Sequence, residues 1–323
     1  MTNIQNEIEQ MKSAIDQEAE LARPTEDMLR PLYESILLMQ KRYEARIKEV
    51  EKSASERDAF YSDMQKIRAE HHLAEKIQRG MLPDIMLEYL EQYGIDIYAD
   101  MDTAWEIGGD YYDFFMMDET KLFFCIGDVS GKSVPAAMLS MVAKTIMEIY
   151  MRDDGELSEI CQRISKQLYF AQHTDDRMFV TAWFGILDTK SGMLQYVNAG
   201  HEAPLYIHHT GETEFLKNKS GLPIASYFNK KRPEKNIYQS FVLKMEKGDS
   251  LLLYTDGITD TENSSGERFG RDRIEEISHA SKAHEMSMED WVKYLQRHVI
   301  AHADHGKRDD DITVLGIKYI GDK

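Results

Sequence analysis

Four acidic motifs carry the chemistry-bearing residues of this chain of 323 residues. Asp110 lies in Gly108-Gly109-Asp110-Tyr111-Tyr112-Asp113, Asp128 in Gly127-Asp128-Val129-Ser130-Gly131, and Asp256 in Tyr254-Thr255-Asp256-Gly257. The fourth motif is the run Asp309-Asp310-Asp311-Ile312-Thr313. Carboxylates beside glycine at the ends of apolar, strand-like segments let a rigid sheet gather oxygen ligands around hard divalent cations. Taken singly the motifs are ordinary, since Asp-Gly pairs mark turns and acidic runs mark solvated loops. Together, in order and with strand-like neighbours, they predict an oxygen-rich cation site assembled from distant parts of the chain.

Those motifs need a sheet to hold them. From about residue 92 the sequence breaks into short apolar runs bounded by Gly, Asp and Asn. Residues 121–126, 178–187, 193–197, 250–254 and 312–320 read as strands. Amphipathic helices lie between them. One spans 134–150, with Pro135 in its first turn, where a missing N–H costs nothing. Leu157, Ile160, Ile164 and Leu168 form a second apolar stripe, and Trp291, Leu295 and Val299 a third. A hairpin turn at Asp188–Gly192 joins two of the strands, so regular βαβ alternation is excluded. An α+β class with a largely antiparallel sheet system fits.

The first 82 residues have another character. They contain no glycine before Gly80, and one heptad frame fits them from end to end. Ile36, Tyr43, Val50, Met64, His71 and Gln78 fall at a positions; Leu32, Met39, Phe60, Ile67, Ala74 and Met81 fall at d. Of the 23 a and d positions, 16 are apolar, which favours a parallel homodimeric coiled coil over a solvated helix. Pro24 and Pro31 argue for a break near residues 23–31, followed by a long helix to about residue 82. The predicted organisation is therefore a helical linker over 1–82 and a second domain over 83–323.

Composition narrows the partners. With 39 basic and 57 acidic residues the net charge is −18, so nucleic acid and anionic lipid are poor partners. No run approaches the roughly 18 consecutive apolar residues of a membrane helix, and MTNIQNEIEQ has no basic-then-apolar leader. Cys125 and Cys161 form no metal or redox motif, so a reduced, cytoplasmic protein is expected.

From Ala74 to Tyr319 the chain resembles the metal-dependent (PPM, type 2C) protein serine/threonine phosphatases, in their bacterial SpoIIE/RsbU-like branch. The resemblance rests on Ala74-Glu75-Lys76-Ile77-Gln78, Met81-Leu82-Pro83 and Glu106-Ile107-Gly108-Gly109-Asp110-Tyr111-Tyr112-Asp113. It continues through Gly127-Asp128-Val129-Ser130-Gly131-Lys132, Pro135-Ala136-Ala137 and Met178-Phe179-Val180-Thr181. Asn198-Ala199-Gly200-His201, Gly221-Leu222-Pro223, Tyr254-Thr255-Asp256-Gly257 and Asp310-Asp311-Ile312-Thr313 complete it. It implies two packed antiparallel sheets flanked by helices, an α-β-β-α sandwich, with two Mn²⁺ or Mg²⁺ ions at one end. By position Asp110, Asp128, Asp256 and Asp310 would be the metal carboxylates and so the catalytic residues. Asp128 would bridge, the Val129 carbonyl would add a ligand, and Asp311 competes with Asp310 for one role. Asp113 would stand behind the ligands. Gly131 and Lys132 either approach substrate phosphate at a helix start or only set the turn. His201 is expected to buttress a turn rather than act as a catalytic acid, and Thr181 and Asn198 to make internal hydrogen bonds.

The implied activity is hydrolysis of phosphoserine or phosphothreonine, with paired cations activating water and clamping the phosphoryl group. The implied substrate is a phosphorylated STAS-domain anti-sigma-factor antagonist in a partner-switching pathway. An upstream regulator acting on the N-terminal helices is expected. The alternative is a non-catalytic signalling adaptor on the same fold. Three departures from the family pattern, Ser133 for glycine, Glu202-Ala203 for asparagine-proline and Asp260 for glutamate, remove no implied ligand.

Overall fold

A computed structural model describes residues 9–14, 16–17, 26–83, 90–173, 177–218, 221–226, 237–304 and 310–321. Asp309 and Pro24, both read above, lie outside the described residues. The chain divides into two compact units, Met1–Glu70 and His71–Lys323. Helix α1 (Glu26–Met81) dominates the first and its last residues enter the second. Pro31 sits inside α1, so the break expected near residues 23–31 is absent over 26–31. Within α1 the missing N–H of Pro31 forgoes one intrahelical bond without ending the helix.

The second unit runs β1 (Ile95–Asp102), β2 (Tyr111–Met116), β3 (Lys121–Val129), α2 (Ser133–Met151), α3 (Leu157–Ala171), β4 (Val180–Asp188), β5 (Met193–Ala199), β6 (Leu205–Ile207) and β7 (Thr213–Phe215). It continues with β8 (Phe241–Lys244), β9 (Ser250–Tyr254), α4 (Asp256–Thr259), α5 (Gly270–Ser281), a 3₁₀ turn at Ala283–Glu285, α6 (Met288–Ala303) and β10 (Ile312–Tyr319). Two five-stranded sheets form, ordered β1-β10-β9-β6-β7 and β2-β3-β4-β5-β8, and every strand pair is antiparallel.

Alternation along the strands builds three apolar layers. On β3, Leu122, Phe124 and Ile126 join the core between the sheets, with Trp183, Leu253 and Leu315. Phe123 and Cys125, pointing the other way, meet Leu139, Ala143, Ile160 and Leu168 of α2 and α3. On the sheet that holds β9 and β10, Leu252, Tyr254 and Val314 pack with Trp291, Leu295 and Val299 of α6. Because both faces of each sheet are covered, these strands are continuous apolar runs in sequence. The four-layer order helix, sheet, sheet, helix is the architecture the resemblance implies.

Helix α2 has the length and mean hydropathy of a membrane span. It instead lies against β2, β3 and α3, with Ala136, Leu139, Ala143, Met147 and Met151 buried. The stripes on α3 and α6 predicted from sequence are buried as expected. Strand β4 begins at Val180, two residues later than predicted.

Candidate metal centre

All four acidic motifs reach the same end of the sandwich. Asp110 immediately precedes β2 and Asp128 is the penultimate residue of β3, both from one sheet. Asp256 opens α4 directly after β9, and Asp310 and Asp311 lead into β10, both from the other sheet. Two threonines join these halves. Thr255 Oγ1 donates to Asp110 Oδ2 at 2.8 Å and Thr313 Oγ1 donates to the same oxygen at 2.6 Å. Thr313 N donates in turn to Thr255 Oγ1 at 3.1 Å. All three side chains are buried, so one Asp110 oxygen is committed to the scaffold. Sequence reasoning quoted both threonines without a role, because their partner lies 145 and 203 residues away.

Asp310 and Asp311, equivalent candidates in sequence, part company here. Asp311 is 7% exposed. Its carboxylate accepts from Ala104 N at 2.9 Å, Gly109 N at 2.8 Å and Asp110 N at 3.5 Å. It therefore clamps the loop that presents Asp110. The glycines around it follow from that crowding. A Cβ on Gly108 would stand 2.2 Å from Asp311 Oδ2, and one on Gly257 would stand 1.9 Å from the Asp311 carbonyl oxygen. Asp310 is half-exposed, with its Oδ2 3.7 Å from Lys132 Nζ. A small open pocket is lined by Ala104, Trp105, Asp128, Lys132, Asp310 and Asp311 among others.

The electrostatics are those of a site crowded with carboxylates, with Lys132 beside Asp310. Burial first, and then the carboxylates of Asp128 and Asp311, push Asp110 well above the usual carboxylate range. Burial and the charges of Asp256, Asp310 and Asp311 push Asp128 up to about 7. Burial and Asp310 push Asp256 up to about 6. Asp311 is raised by burial despite its amide donors. Among the described residues no three carboxylate, imidazole or thiolate groups are already drawn into a closed ligand cage. The donor set nevertheless fits a divalent ion: all oxygen, mutually repelling, and relieved by positive charge. The Val129 backbone oxygen faces the same loop, 3.1 Å from where a Gly109 Cβ would lie.

Asp113, on β2, forms a buried 2.9 Å ion pair with Lys144 of α2. Burial raises its carboxyl even though Lys144 pulls the other way. The pair ties α2 to the strand behind Asp110, and it was invisible from spacing because Lys144 reads as an ordinary helix-surface cation. Gly131 has φ 106 and Ser133 φ 66, so the substituted Ser133 keeps the left-handed backbone that a glycine would favour. His201 is buried, has Thr181 Oγ1 3.0 Å from its ring Nδ1, and donates its backbone N–H to Asn198 Oδ1 at 2.8 Å. Burial lowers its imidazole to about 4, which leaves a neutral buttress under the turn. Gln78, expected in the coiled-coil seam, is 4% exposed. It donates to Gly108 O at 2.7 Å and accepts from Gly108 N at 3.2 Å. His71, expected in the same seam, lies 3.7 Å from Glu106 Oε2. Both thus face the sandwich, because the backbone of the Asp110 loop offers them polar partners that a seam lacks.

A four-layer sandwich with acidic residues converging at one end of its paired sheets is the fold of the metal-dependent (PPM, type 2C) protein serine/threonine phosphatases. The chain belongs to the Stage II sporulation protein E (SpoIIE) family, whose family model matches residues 118–320. It is 30% identical over 275 residues to protein IcfG of a Synechocystis species, an alignment covering 77% of this chain and 41% of that protein. It is 27% identical to the phosphoserine phosphatase RsbU of Bacillus subtilis, over 78% of this chain and 70% of that one. Its fold matches the SiaA-PP2C domain of Pseudomonas aeruginosa with TM-score 0.65 and 19% identity, over 79% of this chain and 98% of that domain. The chain thus spans less than half of IcfG and most of RsbU.

Proposed function

We propose that the protein hydrolyses phosphoserine or phosphothreonine on a protein substrate, using two Mn²⁺ or Mg²⁺ ions held by Asp110, Asp128, Asp256 and Asp310 with the Val129 carbonyl. The observation that carries this is the gathering of these carboxyls at one end of the sandwich, where burial first, and then neighbouring carboxylates, hold Asp110, Asp128 and Asp256 above their ordinary range. When bound, the ions activate water and neutralise charge on the phosphoryl oxygens. The chain's own residues prepare that chemistry. Thr255 and Thr313 fix one oxygen of Asp110 and leave the other available. Asp311 holds the Gly108–Asp110 backbone in place. Lys132, beside Asp310 at the pocket, is placed to meet a phosphate oxygen, with Gly131 allowing the turn that brings it there.

The substrate we favour is a phosphorylated STAS-domain anti-sigma-factor antagonist, in keeping with the similarity to RsbU. Dimerisation through residues 1–82, ahead of a catalytic domain over 83–323, would cover the exposed Met39, Val50, Phe60 and Ile67 of α1 and give an upstream regulator a handle. The two free thiols, Cys125 and Cys161, suit a reducing cytoplasm. The test is release of inorganic phosphate from a phosphorylated STAS protein with Mn²⁺, beside an Asp128→Ala control. Release that needs Mn²⁺ and Asp128 supports the reading. No release from any phosphoserine protein, under conditions where RsbU works, leaves only the adaptor role.

A further inference from the structure

The chain has three tryptophans. Trp183 and Trp291 are completely buried in two of the apolar layers, whereas Trp105 is 52% exposed. Scattered exposed apolar residues are normal, but Trp105 is placed differently from the others. It lines the same pocket as Asp128, Asp310, Asp311 and Lys132. Its neighbour Ala104 donates its backbone N–H to Asp311 Oδ1 at 2.9 Å, so its backbone is pinned to the carboxylate that holds the Asp110 loop. An indole on an anchored loop loses little freedom on contact, and tryptophan is enriched where a few residues carry most of the binding energy.

We propose that Trp105 is a substrate-positioning residue: it receives the polypeptide flanking the phosphorylated side chain and favours apolar neighbours of that residue. This rests on the phosphatase reading above and deepens it. The pocket chemistry fits a division of labour. The acidic, ion-binding interior and Lys132 take the phosphoryl group, which every phosphoester shares. Trp105, at the solvent edge, meets what distinguishes one phosphoprotein from another. About half of an indole's surface, on the order of 100 Å², is enough apolar area for a roughly 10–50-fold effect on affinity.

The test uses the full chain with Mn²⁺ and three probes: a phosphoserine decapeptide with leucines flanking the phosphoserine, the same peptide with glycines there, and para-nitrophenyl phosphate. Trp105→Ala should raise KM for the leucine peptide about 10–50-fold, with a smaller effect on the glycine peptide and a change of less than twofold for para-nitrophenyl phosphate. Trp105→Phe should recover most of the loss. Because the other two tryptophans are buried, acrylamide quenching of fluorescence reports chiefly Trp105. Adding the leucine peptide should shift emission to the blue and reduce quenching by acrylamide, whether or not turnover occurs. An unchanged KM with no spectral shift overturns the inference while leaving para-nitrophenyl phosphate hydrolysis, and hence the phosphatase reading, intact. An equal loss on all three probes also overturns it, since Trp105 would then only support the fold. If no probe is hydrolysed the phosphatase reading fails, and the spectral shift alone decides the role of Trp105.

Discussion

Replacing Asp128 by asparagine should make the metal-free protein more stable and the metal-loaded protein less so. Burial and the charges of Asp256, Asp310 and Asp311 hold the Asp128 carboxyl up at about 7, from 3.8. A raised carboxyl means that the folded state binds a proton the unfolded state has released. Its charged form is therefore a cost to folding, absent below pH 4, growing as pH rises, and complete above about 7. A shift of about three units at about 1.4 kcal/mol each sets an upper bound near 4 kcal/mol. Because buried Asp110 competes with Asp128 for the same proton, about 2 kcal/mol is a fairer figure. For a domain of this size that is a gain of about 4–8 °C in Tm at pH 8 in EDTA. At pH 5 the gain should fall to about a third. With excess Mn²⁺ the order reverses, because the wild type gains ligand stabilisation that the variant loses. Differential scanning fluorimetry at both pH values, with EDTA and with Mn²⁺, reads all four outcomes. An Asp128→Asn protein less stable than wild type in EDTA at pH 8 would refute the claim that these carboxylates repel one another.

Three further substitutions probe the scaffold. Thr255→Val removes a buried donor to Asp110 and the acceptor for Thr313 N. It should cost about 1–3 kcal/mol in urea unfolding and weaken Mn²⁺ binding as well. Lys144→Met strands the buried Asp113 carboxylate and should cost about 3–5 kcal/mol, much of it recovered in the Lys144→Met, Asp113→Asn double variant; no recovery would show that the pair is not the cause. Ser133→Gly relieves a left-handed serine at φ 66 and should raise stability by about 0.5–1 kcal/mol in thermal melts.

Much of the sandwich was legible because its strands and helices carry strong local signals. β3, β4 and β5 were readable as apolar runs, the hairpin at Asp188–Gly192 from its turn residues, and the buried stripe of α6 from helical spacing. The convergence of the aspartates was readable from motif order. What escaped depends on contacts between distant residues. Thr255 and Thr313 look like any strand-end threonines until the two sheets bring them to Asp110. Asp310 and Asp311 are adjacent in sequence, and only the approach of the Ala104–Asp110 backbone assigns Asp311 to the clamp. Gln78 and His71 obey the heptad frame, but polar side chains at helix a positions turn readily to backbone and carboxylate partners when a domain offers them. Pro31 failed as a helix breaker because one forgone hydrogen bond is a local cost within a helix of 56 residues.

The most direct test of the centre is isothermal titration of Mn²⁺ into the metal-stripped protein at pH 6 and at pH 8, in two buffers of different ionisation enthalpy. Binding of two ions per chain is expected, tighter at pH 8, with net proton release at pH 6 as Asp128 and Asp256 give up their protons, and with loss of binding in Asp128→Ala. Binding that is absent, or that is indifferent to pH and to Asp128, would contradict the account.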